Sequence, residues 1–140
     1  GRTKSVGASM LTDGTRNVIA GMRAAAASNI AVVTSIGAGD SYDQAPLAFK
    51  LFMWTILKDA FVDKNNQERL FLDPAGPGSD LSWTIVRPGG LNLNPPSGQP
   101  KVLEAKEMAG SIARADVAAF CLRAIDKDAE RFGRRAVCIS

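Results

Sequence analysis

Two runs of β-branched residues that lack polar alternation constrain the fold of this 140-residue chain most strongly. The runs are residues 30–35 (IAVVTS) and residues 82–87 (SWTIVR). Such runs are typical of strands in a parallel sheet, because helices cover both faces of the sheet and no position faces water. Each run ends in a glycine-rich loop, TSIGAG at 34–39 and RPGG at 87–90. The sequence therefore predicts a buried parallel sheet whose strands lead into two loops.

Helical patterns separate these strands, with apolar residues spaced three and four apart. The first helix is predicted from Thr12 to near Ser28, with Thr12 and Asp13 capping its start. The other predicted elements are a helix after Pro46 with Phe49, Phe52, Met53, Ile56, Leu57, Ala60 and Phe61 on one face, a polar helical segment at 63–71, a helix at 113–126 and a strand at 136–139. The order α-β-α-β-α-β implies right-handed crossovers and one α/β domain over residues 1–140, with a doubly wound parallel sheet.

Composition excludes several function classes. The net charge is +3 and the 17 basic residues are spread along the chain, so we expect no nucleic-acid binding. The longest apolar run, 47–62, is interrupted by charges and is shorter than the ~20 residues that a membrane span needs. Histidine is absent, which excludes Ser-His-Asp and Cys-His catalysis, and no metal site is predicted. Cys121 and Cys138 lie in apolar elements with no secretory signal ahead of them, which predicts reduced thiols and a cytoplasmic location.

The glycine pairs do not form a phosphate-binding fingerprint. After Gly37 and Gly39 the third position is Tyr42, and after Gly76 and Gly78 it is Leu81. In parallel α/β sheets, ligands lie outside the carboxyl ends of the strands. We therefore expect the loops at 34–39 and 87–90 to face one crevice.

Four segments in order carry a family resemblance: VVTSIGAGD at 32–40, DKNNQE at 63–68, LSWTIVRPGGL at 81–91 and GSIARADVAAFCLRAI at 110–125. Together they resemble the atypical short-chain dehydrogenase/reductase family, in particular NmrA-like proteins and biliverdin-IXβ (flavin) reductases. Gly1-Arg2-Thr3 resembles the turn after the family's fourth strand. The resemblance thus implies the carboxyl-terminal part of a Rossmann-like domain, without the amino-terminal half that carries the glycine motif for the pyrophosphate.

The resemblance also implies NAD or NADP as cofactor and a set of site residues. The implied cofactor contacts are Gly1, Thr3, Thr34, Ser35, Ile36, Lys64, Pro88, Gly89 and Gly90. Without the resemblance, we would interpret Gly89-Gly90 as an ordinary turn and Lys64 as a solvated helix residue.

Ser35 and Lys64 are the implied catalytic residues. Ser35 matches a strand-end serine that hydrogen-bonds the substrate carbonyl or orients the nicotinamide, and a bond to nearby backbone is the open alternative. Lys64 matches the lysine of the family's Tyr-x-x-x-Lys pair, but the tyrosine position is Ala60, which leaves solvent as the implied proton source. Glu68, one turn after Lys64, is expected to pair with it in a structural role.

The implied activity is hydride transfer from the nicotinamide to a flat small-molecule acceptor, flavin-like or tetrapyrrole-like. Tyr42, Phe49, Phe52 and Trp54 lie where the family carries its substrate-covering segment, although Phe49 and Phe52 also fit a core stripe. Two alternatives remain open. One is a non-catalytic NAD(P)-sensing regulator, compatible with Ala60, and the other is a structural or interaction remnant with an open sheet edge at 30–35.

Overall fold

The structure, a computed structural model, describes residues 7–140, so the predicted contacts at Gly1 and Thr3 lie outside the described residues. The elements in chain order are α1 (Met10–Ala24), β1 (Asn29–Val33), a 3-10 helix (Gly39–Gln44), α2 (Leu47–Thr55), α3 (Lys58–Leu72), β2 (Ser82–Pro88), β3 (Gly90–Asn92), β4 (Ser111–Ala113), α4 (Arg114–Ile125), α5 (Ala129–Phe132) and β5 (Arg135–Ile139).

The main sheet has three parallel strands in the order β1-β2-β5. Val33 lies opposite Val86, and Pro88 lies opposite Ile139. The central strand β2 is buried from Trp83 onward, which explains its apolar run without alternation. The predicted α/β fold with a parallel sheet is confirmed, and among residues 7–140 β1 forms one edge of this sheet.

The start of α1 differs from the prediction. The helix begins at Met10, and the backbone N–H groups of Leu11 and Thr12 donate to the Asp63 carboxylate at 2.8 and 3.0 Å. The Thr12 hydroxyl also donates to Asp63, at 2.6 Å. The predicted cap by Thr12 and Asp13 was therefore wrong. The Asp63 carboxylate, from α3, accepts the hydrogen bonds of the N-terminal N–H groups that a local side chain was expected to accept.

The helix predicted after Pro46 is two helices, since α2 ends at Thr55 and α3 begins at Lys58. The break removes the common face that the spacing predicted. Met53 and Phe61 are buried, whereas Phe52 and Ile56 are exposed. A change of direction between the helices turns part of the apolar stripe toward solvent.

Four short elements were not predicted: the 3-10 helix, α5, and the strands β3 and β4, which form a parallel pair. Gly89 precedes β3, and a Cβ there would overlap the carbonyl of Gly110. Glycine at position 89 therefore lets the β4 segment approach the end of β2.

The core also contains the two cysteines. Cys138 is buried and Cys121 is half-buried, and both are free thiols. Burial raises the pKa of each thiol, which keeps both protonated at neutral pH. Among residues 7–140, no helix is both long and apolar enough to cross a membrane.

Candidate functional site

The carboxyl ends of β1 and β2 lie side by side, as the sequence predicted. The Thr34 N–H donates to the Val86 carbonyl at 2.9 Å, and the Ile36 N–H donates to the Pro88 carbonyl at 3.0 Å. The Gly89 N–H donates to the Ile139 carbonyl at 2.9 Å, which extends the ladder toward β5. The loops that follow β1 and β2 therefore start from one continuous hydrogen-bonded edge.

A buried polar network lies beneath this edge, and we call Thr34, Asp40, Glu68 and Arg87 the Arg87 network. The Arg87 guanidinium makes two hydrogen bonds to the Glu68 carboxylate, at 3.0 and 2.7 Å. The Thr34 hydroxyl donates to the same carboxylate at 2.7 Å. The expected structural pair of Glu68 with Lys64 was wrong, because Glu68 is 1% exposed and its bidentate partner is Arg87.

The network continues to the surface at Asp40. Arg87 Nη1 donates to Asp40 Oδ1 at 2.5 Å, and this hydrogen bond is the main reason that the pKa of Asp40 lies below its ordinary value. Burial opposes the charge of Arg87, but the hydrogen bonds that it donates to the Glu68 and Asp40 carboxylates outweigh burial and raise the pKa of the guanidinium. Gly39 adopts φ +58°, and a Cβ there would overlap the Arg87 guanidinium. The loop at 34–40 is thereby fixed against α3 and β2.

Lys64 and Ser35 are the polar groups left for a ligand at this edge. The half-buried Lys64 ammonium donates to the Thr34 carbonyl at 3.2 Å, which uses one of its three donors. Burial lowers the pKa of Lys64, although the charges of Glu68 and Asp63 oppose this shift. The half-buried Ser35 hydroxyl has no hydrogen-bond partner among residues 7–140.

The other predicted cofactor contacts occupy the same edge with different exposure. The Thr34 hydroxyl already donates its hydrogen bond to Glu68. Pro88 and Gly89 are buried, and Gly90 is exposed. Ser35 and Lys64 carry free donors beside this backbone, which fits the ribose and carboxamide of a nicotinamide riboside. The assignment of individual residues to the cofactor stays a prediction.

An aromatic cavity adjoins the edge at Gly37. It has a volume of about 220 Å³, and Gly37, Tyr42, Lys50, Trp54 and Lys58 are among its lining residues. A groove of about 560 Å³ shares Tyr42, Lys50 and Trp54 with the cavity and runs along α2 past Leu47 and Leu51. Tyr42 and Trp54, the two aromatic residues off the predicted core stripe, thus face open space.

Sequence reasoning missed the Arg87 network and the two pocket lysines. Arg87 is the one charged residue in the buried strand β2, and a buried charge requires a partner. That signal could have pointed to a carboxylate on a neighbouring helix. The sequence did not indicate that Lys50 and Lys58 line a pocket, because exposed lysines on helices are common. Among residues 7–140, no group of His, Cys, Asp and Glu side chains could hold a metal ion.

The chain matches a family described as NAD(P)H-binding over residues 1–128. Two solved structures share about a quarter of the sequence. ChuY from Escherichia coli CFT073 is 27% identical with a TM-score of 0.71, covering 89% of this chain and 58% of that one. ChuY from Escherichia coli O157:H7, described as an anaerobillin reductase, is 26% identical with a TM-score of 0.74, covering 96% and 60%.

A third structure, a short-chain dehydrogenase/reductase from Veillonella parvula in complex with NADP, shows a common fold alone. It is 15% identical with a TM-score of 0.69, covering 96% of this chain and 59% of that one. The chain therefore spans about three fifths of the length of these structures. No curated protein matches it significantly.

The described residues form a Rossmann-like α/β fold, which these solved structures share. The chain belongs to the NAD(P)H-binding family. This confirms the resemblance and the prediction of NAD or NADP as cofactor that depended on it.

Proposed function

We propose that this chain forms the nicotinamide and acceptor side of an NAD(P)H-dependent reductase. The observation that carries the proposal is the pair of unused donors, on Ser35 and Lys64, at the joined ends of β1 and β2 beside an aromatic cavity. NAD(P)H, when bound, supplies the hydride for a flat acceptor such as a flavin or a tetrapyrrole. The 26% identity to ChuY, described as an anaerobillin reductase, supports a tetrapyrrole as acceptor.

The roles of the two donors follow from their surroundings. Lys64 is anchored on the Thr34 carbonyl and directs its remaining N–H donors to a ribose hydroxyl. Ser35 donates to the carboxamide or to an acceptor carbonyl at the same edge. Ala60 is half-buried and lies at the position of the family's tyrosine, but its side chain has no acidic proton to donate. Solvent that enters the open groove therefore supplies the proton to the acceptor.

The test uses the polypeptide at its natural length. Titration with NADPH and NADH measures binding, and loss of absorbance at the nicotinamide band with FMN or biliverdin measures turnover. We expect Lys64→Met and Ser35→Ala to weaken cofactor binding by roughly tenfold each, the size of one lost hydrogen bond to a charged or buried group. Lys127→Met, an exposed lysine distant in sequence, is the control and should bind normally.

A non-catalytic NAD(P) sensor is the second candidate, and Ala60 favours it because no side-chain acid replaces the tyrosine. It predicts that the cofactor binds with the same dependence on Lys64, but that no acceptor in a flavin and tetrapyrrole panel is reduced. Turnover above the rate of free cofactor with the same acceptor would exclude the sensor.

We also propose a cytoplasmic location, supported by the two unpaired thiols, Cys121 and Cys138. Fractionation of cells with an antibody to the chain tests it, and recovery in an oxidising compartment would contradict it.

A further inference from the structure

The cavity and groove beside α2 combine three aromatic side chains, those of Tyr42, Trp54 and Phe61, with two cations. Of the residues that line them, Lys50 and Lys58 are charged, and none is Asp or Glu. Tyr42 and Trp54 are 50% and 78% exposed, although large aromatic side chains are usually covered. An open site with aromatic walls and an excess of positive charge favours a flat ligand that carries negative charge.

Lys50 is held over the site. Its side chain is only 21% exposed, and its ammonium lies 4.7 Å from the centre of the Tyr42 ring. The nearest carboxylate, on Asp43, is 3.7 Å away and 87% exposed, so water weakens this pair. The Lys50 ammonium is therefore placed at the wall of the groove with most of its hydrogen-bonding capacity unused.

Lys58 is the first residue of α3, where the helix dipole disfavours a cation. It forms no ion pair with the residues that the structure describes. An anion bound at the cavity would offset this repulsion.

We propose that this site binds a flat acceptor through an anionic arm, a phosphate or a carboxylate, held by Lys50 and Lys58 while the ring system lies between Tyr42 and Trp54. Gly37 joins the cavity to the strand ends, which places the ring next to the predicted nicotinamide contacts. The redox role of the bound molecule rests on the proposed reductase function, whereas the binding preference is independent of it.

Two pairs of probes isolate the anionic arm. FMN and riboflavin share one ring system and differ by a phosphate, and biliverdin and its dimethyl ester differ by the charge of two carboxylates. Equilibrium titration, by flavin fluorescence or tetrapyrrole absorbance, gives a dissociation constant for each. We expect the charged member of at least one pair to bind about tenfold more tightly, with a preference that decreases as KCl is raised. The pair that discriminates identifies a phosphate or a carboxylate.

Variants then assign the preference to the lysines. The double change Lys50→Gln and Lys58→Gln should make the charged and neutral probes bind equally, while Lys50→Arg should retain the preference because it keeps the charge. Lys127→Gln, outside the site, is the matched control and should behave as the unmodified protein. A circular dichroism spectrum of each variant checks that α2 and α3 remain folded.

The outcomes separate this inference from the proposed function. Preferential binding of the charged probe without NADPH-dependent reduction supports the site and overturns the reductase. Reduction of both members of a pair with equal dissociation constants overturns the anion site alone. Self-association that covers Trp54, detected by sedimentation together with loss of probe binding, would also overturn it.

Discussion

The Arg87 network and the α2 surface, defined here by Leu47, Leu51, Trp54 and Ile56, have opposite character. In the Arg87 network, Thr34, Glu68 and Arg87 are buried and hydrogen-bonded, and Asp40 is the exposed member. On the α2 surface, apolar groups are exposed, and Leu47 and Trp54 are 81% and 78% accessible. The chain therefore buries charge and exposes apolar side chains within one small region.

The contrast separates a rigid part of the site from an adaptable part. A network with a buried, hydrogen-bonded centre holds the 34–40 loop and the Lys64 helix in one geometry, as a cofactor edge requires. Exposed apolar side chains beside a cavity leave room for ligands of different outline. Substitutions in the network should thus affect folding, whereas substitutions on the α2 surface should affect binding.

The largest effect is expected from Glu68→Gln. It removes the negative charge that compensates buried Arg87, and breaking a buried ion pair typically costs about 3–5 kcal/mol. Urea unfolding at pH 7 measures the change in the free energy of unfolding. Glu104→Gln, at an exposed position, is the control and should change it by less than about 0.5 kcal/mol. A similar value for both variants would show that Arg87 finds another partner.

Gly39→Ala should have the next largest effect, a loss of about 3 kcal/mol. The left-handed backbone at φ +58° costs about 1 kcal/mol for alanine, and overlap of the new methyl with buried Arg87 adds about 1–3 kcal/mol. Gly98→Ala is the matched control, because its φ is +72° and its surroundings are open. The difference between the two unfolding free energies reports the rigidity of the network, and equal losses would mean that Arg87 moves aside.

Asp63→Asn is expected to cost about 1–2 kcal/mol at pH 7, the usual value of a helix N-cap. Burial opposes the charge of Asp63, but the hydrogen bonds from Thr12 and Leu11 outweigh it and lower its pKa below the ordinary 3.8. A carboxylate with a lowered folded-state pKa stabilises the protein above its unfolded-state pKa, and this stability is lost as the pH falls through the folded-state value.

The stability difference between the original protein and Asp63→Asn should therefore be constant above about pH 5 and should shrink below pH 3.8. Asp126→Asn, at an exposed position, is the control for the general effect of acid. A difference that persists at low pH would assign the stabilisation to packing of the side chain instead of its charge.

Most of the sheet could be predicted from the sequence. The run at 82–87 matches β2 to within one residue, because a buried strand carries its signal in consecutive residues. The run at 30–35 extends past β1, since the N–H groups of Thr34 and Ile36 continue the hydrogen-bonded edge after the strand ends at Val33. The position of these two residues at the end of β1, next to the loop after β2, was also predicted.

What could not be predicted depends on contacts between distant parts of the chain. Glu68 and Arg87 are on different elements, and helical spacing pointed to Lys64 as the nearer partner. Asp63 reaches the start of α1 across 52 positions, so no local pattern could reveal it. The exposed face of α2 was missed for a related reason, because apolar spacing locates an apolar stripe without showing whether anything covers it.

The smallest effect on stability is expected from Leu47→Gln, a substitution on this uncovered apolar stripe. Leu47 is 81% exposed, so its loss should change the free energy of unfolding by less than about 0.5 kcal/mol. Met53→Ala, on the buried side of the same helix, is the matched comparison and should cost about 2–4 kcal/mol through the cavity it leaves. Both are measured by urea unfolding at pH 7. If Leu47→Gln instead costs more than about 1 kcal/mol, Leu47 is covered in the native protein, and the groove beside it is closed to the ligand proposed above.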